Sequence, residues 1–302
     1  MTQRTIVIGD IHGCLEEFEE LLRTIEFKQC TDRLVLLGDL VDRGPDPVGV
    51  VRRARELGAE SVLGNHEERH LRFRRHEAKK YTNPSYKNPM KPFVGERLVE
   101  HHAYSAEDFA WMAALPITIR LPGNWIAVHA GFEAAYPLEK QRPEKMLRVR
   151  YVDATGKMKA ISSDTEKPEG TVQWATVYRE PVHVVYGHMA LSMEKPVFTS
   201  VALPRAPETW RDENLREAPL SLSAPEGLSL SILHAEDRRV LAEIGATLSL
   251  LAPDETWLRC ALDTACCFGG SLSALILPDR GEPTTASVKS KATYAQVWAG
   301  DD

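Results

Sequence analysis

Six residues able to share metal ions recur at one kind of place along the chain: Asp10 and His12 in GDIHG, Asp39 in GDLVDRG, Asn65 in GNHE, His129 in HAG and His188 in GH. Each motif follows a short apolar run, so each falls where a strand ends. Carboxylate, amide and imidazole donors without thiolate suit Mn, Fe or Zn, and a carboxylate between two ligand sets can bridge two ions. Asp39 is the natural bridge. Two divalent cations lower the pKa of a shared water, so hydroxide is available near neutral pH for in-line attack on phosphorus without a phosphoenzyme. Taken singly, a Gly-Asp after a strand is an ordinary turn and a histidine at a strand end is a hydrogen-bonded structural residue. Five such motifs in one order do not read that way.

The elements that must position these residues come first in the chain. Thr5–Ile8 is a short β-branched strand, and Leu15–Phe27 has the apolar spacing of an amphipathic helix with an acidic first turn. Arg33–Leu37 is a strand buried on both faces, and Gly38 frees the backbone so that Asp39 can project from its end. Pro47–Leu57 reads as a helix with proline near its start and Gly58 just past its end; Ser61–Leu63 is a third strand. This β-α-β-α-β order predicts three parallel strands with right-handed crossovers, and ligands bind at the carboxyl ends of such strands. If the backbone stays extended there, Asp10 and His12 point the same way, whereas the adjacent Asn65 and His66 point apart.

Further on, Tyr81–Pro92 reads as a long loop and Gly95–Leu115 as helix, with Ser105 and Asp108 as a candidate cap. Strands Ile117–Leu121 and Trp125–Val128 are joined at Pro122-Gly123-Asn124, and Val182–Tyr186 is another; two of these end in His129 and His188. Prolines interrupt the pattern between Val201 and Thr256, where Leu228–Leu233 and Arg239–Ile244 are compatible with a hairpin or a helix. Alternation returns at Leu258–Leu262, Leu272–Leu277 is a strand, and the tail after Pro278 is polar.

With 302 residues, 43% of them apolar, the chain is expected to form a single domain over 1–302 with an insertion at about 201–256. It shows neither a leader-like apolar region nor a run long enough for a bilayer, so a cytoplasmic enzyme without membrane attachment is expected. The five cysteines are odd in number and lack CxxC spacing, which excludes a disulfide scaffold or zinc ribbon. A net charge of −6 disfavours stable nucleic-acid binding. One local exception runs from Arg69 to Lys91, where Arg69, Arg72, Arg74, Arg75, Lys79, Lys80, Lys87 and Lys91 face the single acid Glu77.

In their order and spacing, GDIHG, GDLVDRG, GNHE, HAG and GH resemble the phosphoprotein phosphatase (PPP) family of dinuclear metallophosphoesterases, over residues 5 to 200 and again over 258 to 279. The Asp-Arg-Gly of the second motif makes the likeness specific. Leu147–Tyr151 and the stretch from Asp263-Thr264 to Gly269–Leu272 are closest to a bacterial branch akin to symmetric diadenosine tetraphosphatases. The resemblance implies an α/β fold, the calcineurin-like metallophosphoesterase α/β/β/α sandwich, holding two divalent metal ions, manganese first and Fe or Zn as alternatives. It makes Asp10, His12 and Asp39 ligands of one ion, and Asp39, Asn65, His129 and His188 ligands of the other. It further implies His66 as general acid, Asp42 as its orienting partner, and Arg43 with Arg150, preferred over Arg148, as holders of the phosphate. The sequence departs from the family pattern at Met189-Ala190, where Thr-Pro is common, and at Ala265, where glycine is usual.

These readings lead to a metal-dependent phosphatase acting on phosphoserine or phosphothreonine in proteins, with broad phosphomonoesterase activity. Its rival is a hydrolase cutting diadenosine tetraphosphate or related phosphorylated small molecules symmetrically, for which the basic stretch would supply extra cations. A non-catalytic binding module with the same fold would have lost a ligand or His66, and none is missing. A nuclease fits poorly with Arg43 and the negative net charge.

Overall fold

In the computed structural model, which describes residues 4–161, 167–203 and 255–296, two five-stranded sheets carry the fold. The chain begins with β1 (Arg4–Ile8), α1 (Leu15–Thr24), β2 (Arg33–Leu36), α2 (Pro47–Glu56) and β3 (Glu60–Ser61). As expected, β1, β2 and β3 are parallel neighbours. Three helices follow, α3 (Asn65–Thr82), α4 (Gly95–Ala103) and α5 (Ala106–Ala113), then β4 (Thr118–Leu121) and β5 (Trp125–Val128). After α6 (Pro143–Met146) and the small pair β6 (Tyr151–Val152) and β7 (Val172–Gln173) come β8 (His183–Tyr186), β9 (Val197–Leu203), β10 (Glu255–Ala261), β11 (Ser271–Pro278) and β12 (Thr284–Lys289). The sheet orders are β12-β11-β1-β2-β3 and β4-β5-β8-β10-β9.

The two sheets pack face to face through Val7, Val35 and Leu37 on one side and Ala127, Val185 and Cys260 on the other. On its outer face the first sheet turns Ile6, Ile8 and Leu36 toward Phe18 and Leu21 of α1, Val50 of α2 and Met112 of α5. Burial on both faces is why β1 and β2 are continuous apolar runs rather than alternating ones. The outer face of the second sheet is covered by Phe132, Trp174 and Tyr178, which pack on Val128, Val184 and Tyr186. This is the expected layered α/β arrangement. Among the described residues no helix is long and apolar enough to cross a membrane.

Several boundaries differ from expectation for identifiable reasons. The helix expected over 95–115 is two helices, because Ser105 accepts from the Asp108 amide (3.1 Å) while the Asp108 carboxylate accepts from the Ser105 amide (2.9 Å). A capping residue takes extended backbone, and here it ends α4 as it starts α5. Helix α3 absorbs Tyr81 and Thr82 from the expected loop. In the three-residue link Pro122-Gly123-Asn124 between Leu121 and Trp125, Gly123 and Asn124 both have positive φ, +68° and +59°. The polar tail gives no sign of strand β12 because β12 is a largely exposed edge that pairs, among the described residues, with β11 alone. Arg259, on what reads as the polar side of an alternating strand, is wholly buried and donates to the carbonyls of Tyr178, Glu180 and Val182. The insertion and its 228–244 segment lie outside the described residues, apart from its edges in β9 and β10.

Candidate metal centre

The loops after β1, β2, β3, β5 and β8 converge on one point. Asp39 O accepts from the amides of Ile11 (3.2 Å) and His12 (2.8 Å), and His129 O accepts from Gly187 N (2.7 Å), which ties the tips of each sheet together. The turns are tight: His12, Asp39, Asp42, Arg43 and His188 all have φ between +45° and +73°. Non-glycine residues in this left-handed region cluster where function demands the geometry, and five of them here belong to the predicted site. The extended backbone expected through Asp10 and His12 is therefore corrected, since His12 closes a turn. Gly38 (φ +80°) shows why the approach is so close, as a Cβ there would fall 2.5 Å from Gly64 N.

Asp39 lies between two imidazole sets. Its Oδ2 is 3.5 Å from His12 Nε2 and its Oδ1 is 3.4 Å from His129 Nε2. Donor atoms of His12, Asp39 and His66 form one group within 4.8 Å of one another, and those of Asp39, His129 and His188 form a second. Asn65 joins the second through Oδ1, 2.8 Å from His129 Nε2. His12 Nδ1 and His129 Nδ1 each lie 2.8 Å from a carbonyl, of Val41 and Leu37. A carbonyl only accepts, so both rings donate from Nδ1, which turns Nε2 inward as the atom a cation would take. Burial, reinforced by nearby Arg43 or Arg150, keeps His12 and His188 neutral by lowering their pKa values. Asp10 accepts from the His188 amide through Oδ2 (2.9 Å), while its buried Oδ1 has no hydrogen-bond partner. An orphaned carboxylate oxygen beside Asp39, among neutral imidazoles and no thiolate, fits hard or borderline divalent cations.

His66 sits at the edge of this centre with its Nδ1 2.5 Å from Asp42 Oδ2 and its Nε2 3.9 Å from Asp39 Oδ2. Burial alone would lower its pKa, but the charge of Asp39 and the bond to Asp42 outweigh burial and raise it. Asp42 is in turn held by Arg97 Nε (2.8 Å) and His70 Nε2 (3.2 Å) on Oδ1, and its amide donates to Glu100 (3.0 Å). Arg43 Nη1 donates to His12 Nε2 (2.8 Å), so its charge is already at the centre. Of the two candidate arginines downstream, Arg150 is buried and electrostatically close to His188, whereas Arg148 donates to Glu68 (3.0 Å).

Four contributors were not read from the sequence. Glu67, wholly buried, accepts from the amides of Gly64 (3.0 Å), Asp39 (2.9 Å), Leu40 (2.7 Å) and Val41 (3.3 Å). Its position three residues after Gly64 is the signal, a carboxylate at the third helical place reaching back to the cap. His70 is signalled by its i,i+4 spacing from His66; Arg97 and Glu100 carry no signal, since α4 reads as an ordinary amphipathic helix. Glu67→Gln turns an NH2 group toward backbone amides that lose their acceptor, at a cost of roughly 1–3 kcal/mol for a buried unsatisfied donor. We expect a lower melting temperature and weaker metal binding from misplacement of Asp39, measured by thermal unfolding and metal titration. Unchanged affinity would remove Glu67 from the positioning of Asp39.

Comparisons with known proteins agree with this geometry. The calcineurin-like phosphoesterase family matches residues 3–216. A symmetrical bis(5'-nucleosyl)-tetraphosphatase of Nitrosospira multiformis is 32% identical over 135 residues, 44% of this chain and 45% of that protein, so less than half of its length is matched. The protein of the same name from Erwinia tasmaniensis is 28% identical over 290 residues, covering 91% of this chain and 94% of its own length. A crystal structure provisionally described as a diadenosine tetraphosphatase has a TM-score of 0.58 at 26% identity, covering 95% of this chain and 93% of the other. With histidines and aspartates gathered at its strand tips, the chain belongs to the calcineurin-like phosphoesterase family.

Proposed function

We propose that the protein hydrolyses dinucleoside polyphosphates symmetrically, taking diadenosine tetraphosphate to two nucleoside diphosphates. The observation that carries this reading is the near full-length likeness to a protein named for that activity. It favours a phosphorylated small molecule over the phosphoprotein expected first from the motifs. Asp10, His12 and Asp39 would hold one divalent ion, and Asp39, Asn65, His129 and His188 the other. Bound there, the pair would supply a hydroxide at neutral pH and neutralise charge on the phosphate.

The chain's own residues do the rest. Arg43 and Arg150 bind non-bridging oxygens, Arg43 exchanging its present acceptor, His12 Nε2, for the substrate. Asp42 accepts from His66 Nδ1 and favours the imidazolium, whose second proton, on Nε2, goes to the leaving oxygen. The test is a side-by-side assay of diadenosine tetraphosphate and a phosphoserine peptide with added manganese, with products separated by chromatography. We expect higher kcat/KM on the dinucleotide, with adenosine diphosphate as the sole nucleotide product. Preference for the peptide, or a mixture of mono- and triphosphate, would overturn the reading.

A further inference from the structure

The basic stretch after GNHE divides on folding. Counting 100° per residue around α3, Asn65, Glu68, Arg72 and Arg75 fall on one face, while Arg74 falls opposite Asn65. The contacts follow that division. Arg74 lies over the Phe109 ring of α5 at 4.1 Å, turned to the helix layer. Arg72 and Arg75 approach Glu68 at 3.6 and 3.5 Å, and Arg148 reaches the same carboxylate from another segment at 3.0 Å. Lys79 and Lys80 are used locally, over Tyr86 and beside Glu77.

Three guanidinium groups thus converge on one carboxylate, which leaves an excess of about two positive charges. Two segments of the chain link the group to the centre. Glu68 is one helical turn from Asn65, about 4.5 Å along the axis, and Arg148 is two residues before Arg150. Arg72 Nε is buried without a hydrogen-bond partner, a donor with nothing to donate to. We propose that Arg72, Arg75 and Arg148 form an anion subsite for phosphate groups beyond the one being cleaved, with Glu68 holding the arginines in place between substrates. The ligand class is a polyphosphate chain: it carries several negative charges close together, as the cluster holds several cations close together, and fork-shaped guanidinium groups suit phosphate oxygens. This deepens the proposed function and rests on it for the identity of the natural ligand.

The probe is inorganic tripolyphosphate as a competitive inhibitor of p-nitrophenyl phosphate hydrolysis by the metal-loaded full chain, with orthophosphate as comparison. Replacing Arg72, Arg75 and Arg148 together by alanine is expected to raise the tripolyphosphate Ki at least tenfold more than the orthophosphate Ki, and to flatten its salt dependence. Glu68→Gln, which removes the competing carboxylate, is expected to lower the tripolyphosphate Ki. Arg74→Ala should move neither, and a melting curve for each variant controls for folding. A purely structural cluster would weaken binding in the Glu68 variant too, or raise both Ki values equally in the triple variant; either result overturns the subsite. If tripolyphosphate responds as stated but diadenosine tetraphosphate is not cleaved, the subsite stands and the proposed function falls. Unaltered dinucleotide cleavage and inhibition in the triple variant would have the reverse meaning.

Discussion

Asp39→Asn is expected to leave a folded protein that retains at most one of two divalent ions and loses more than about 100-fold in kcat. Even partners behind metal ligands contribute ~10–100-fold, and Asp39 stands in front of both groups. Its Oδ1 faces His129 and its Oδ2 faces His12, so an amide would offer an oxygen to one side and a non-ligating NH2 to the other. Burial opposes ionisation of Asp39, but His129, His66, His12 and His188 around it overcome that and lower its pKa. The same charge works against its neighbours: after burial, it is among the causes that raise the pKa values of Asp10, Asp263 and Glu67. Removing it relieves repulsion in the metal-free protein. Under chelator the variant should therefore melt no lower than the parent, yet gain less on adding manganese, where saturating a site at a hundredfold excess over Kd adds ~2.7 kcal/mol. Elemental analysis and paired melting curves decide this. Two equivalents of metal in the variant would deny Asp39 the bridging place.

Much of the centre was legible because strand tips carry their chemistry in short contiguous motifs. Asp10, Asp39, Asn65, His129 and His188 each follow an apolar run, and parallel strands in sequence order must bring such tips together. What could not be read depended on backbone twist and on partners distant in sequence. The turn at His12 is one case, since a histidine at φ +45° is adopted only because the Asp39 carbonyl takes two amides there. Ala265 is another: its φ of +59° explains why glycine is usual at that place in the family pattern, and this chain keeps the turn without it. Arg97 and Glu100 reach Asp42 across 55 and 58 residues, and nothing in a helix's own periodicity records a partner so far away. The basic stretch was read as one patch; only the helix phase separates Arg74 from Arg72 and Arg75.

His66→Asn is expected to leave both ions bound and to lose turnover by an amount set by the leaving group. The ring is buried, and its Nδ1–H is tied to Asp42 Oδ2, so the proton the imidazolium can transfer is the one on Nε2, directed at the centre. Asp42 itself is fixed by Arg97, His70 and Glu100, which leaves the histidine little freedom to turn away. An amide cannot deliver that proton. General acid catalysis contributes ~10²–10⁴-fold when the leaving oxygen is strongly basic, and much less when it is not. An alkyl phosphate should accordingly suffer the full loss and p-nitrophenyl phosphate a loss at least about tenfold smaller. A nucleoside diphosphate also leaves as a weak base, so diadenosine tetraphosphate should fall nearer the nitrophenyl ester. Asp42→Asn should show the same ordering with smaller losses, because it releases the ring without removing it. Steady-state rates on the three substrates, with metal content checked in each variant, measure the ordering. Equal losses on all three with both ions in place would take the acid role away from His66 and leave it as a structural neighbour of Asp39.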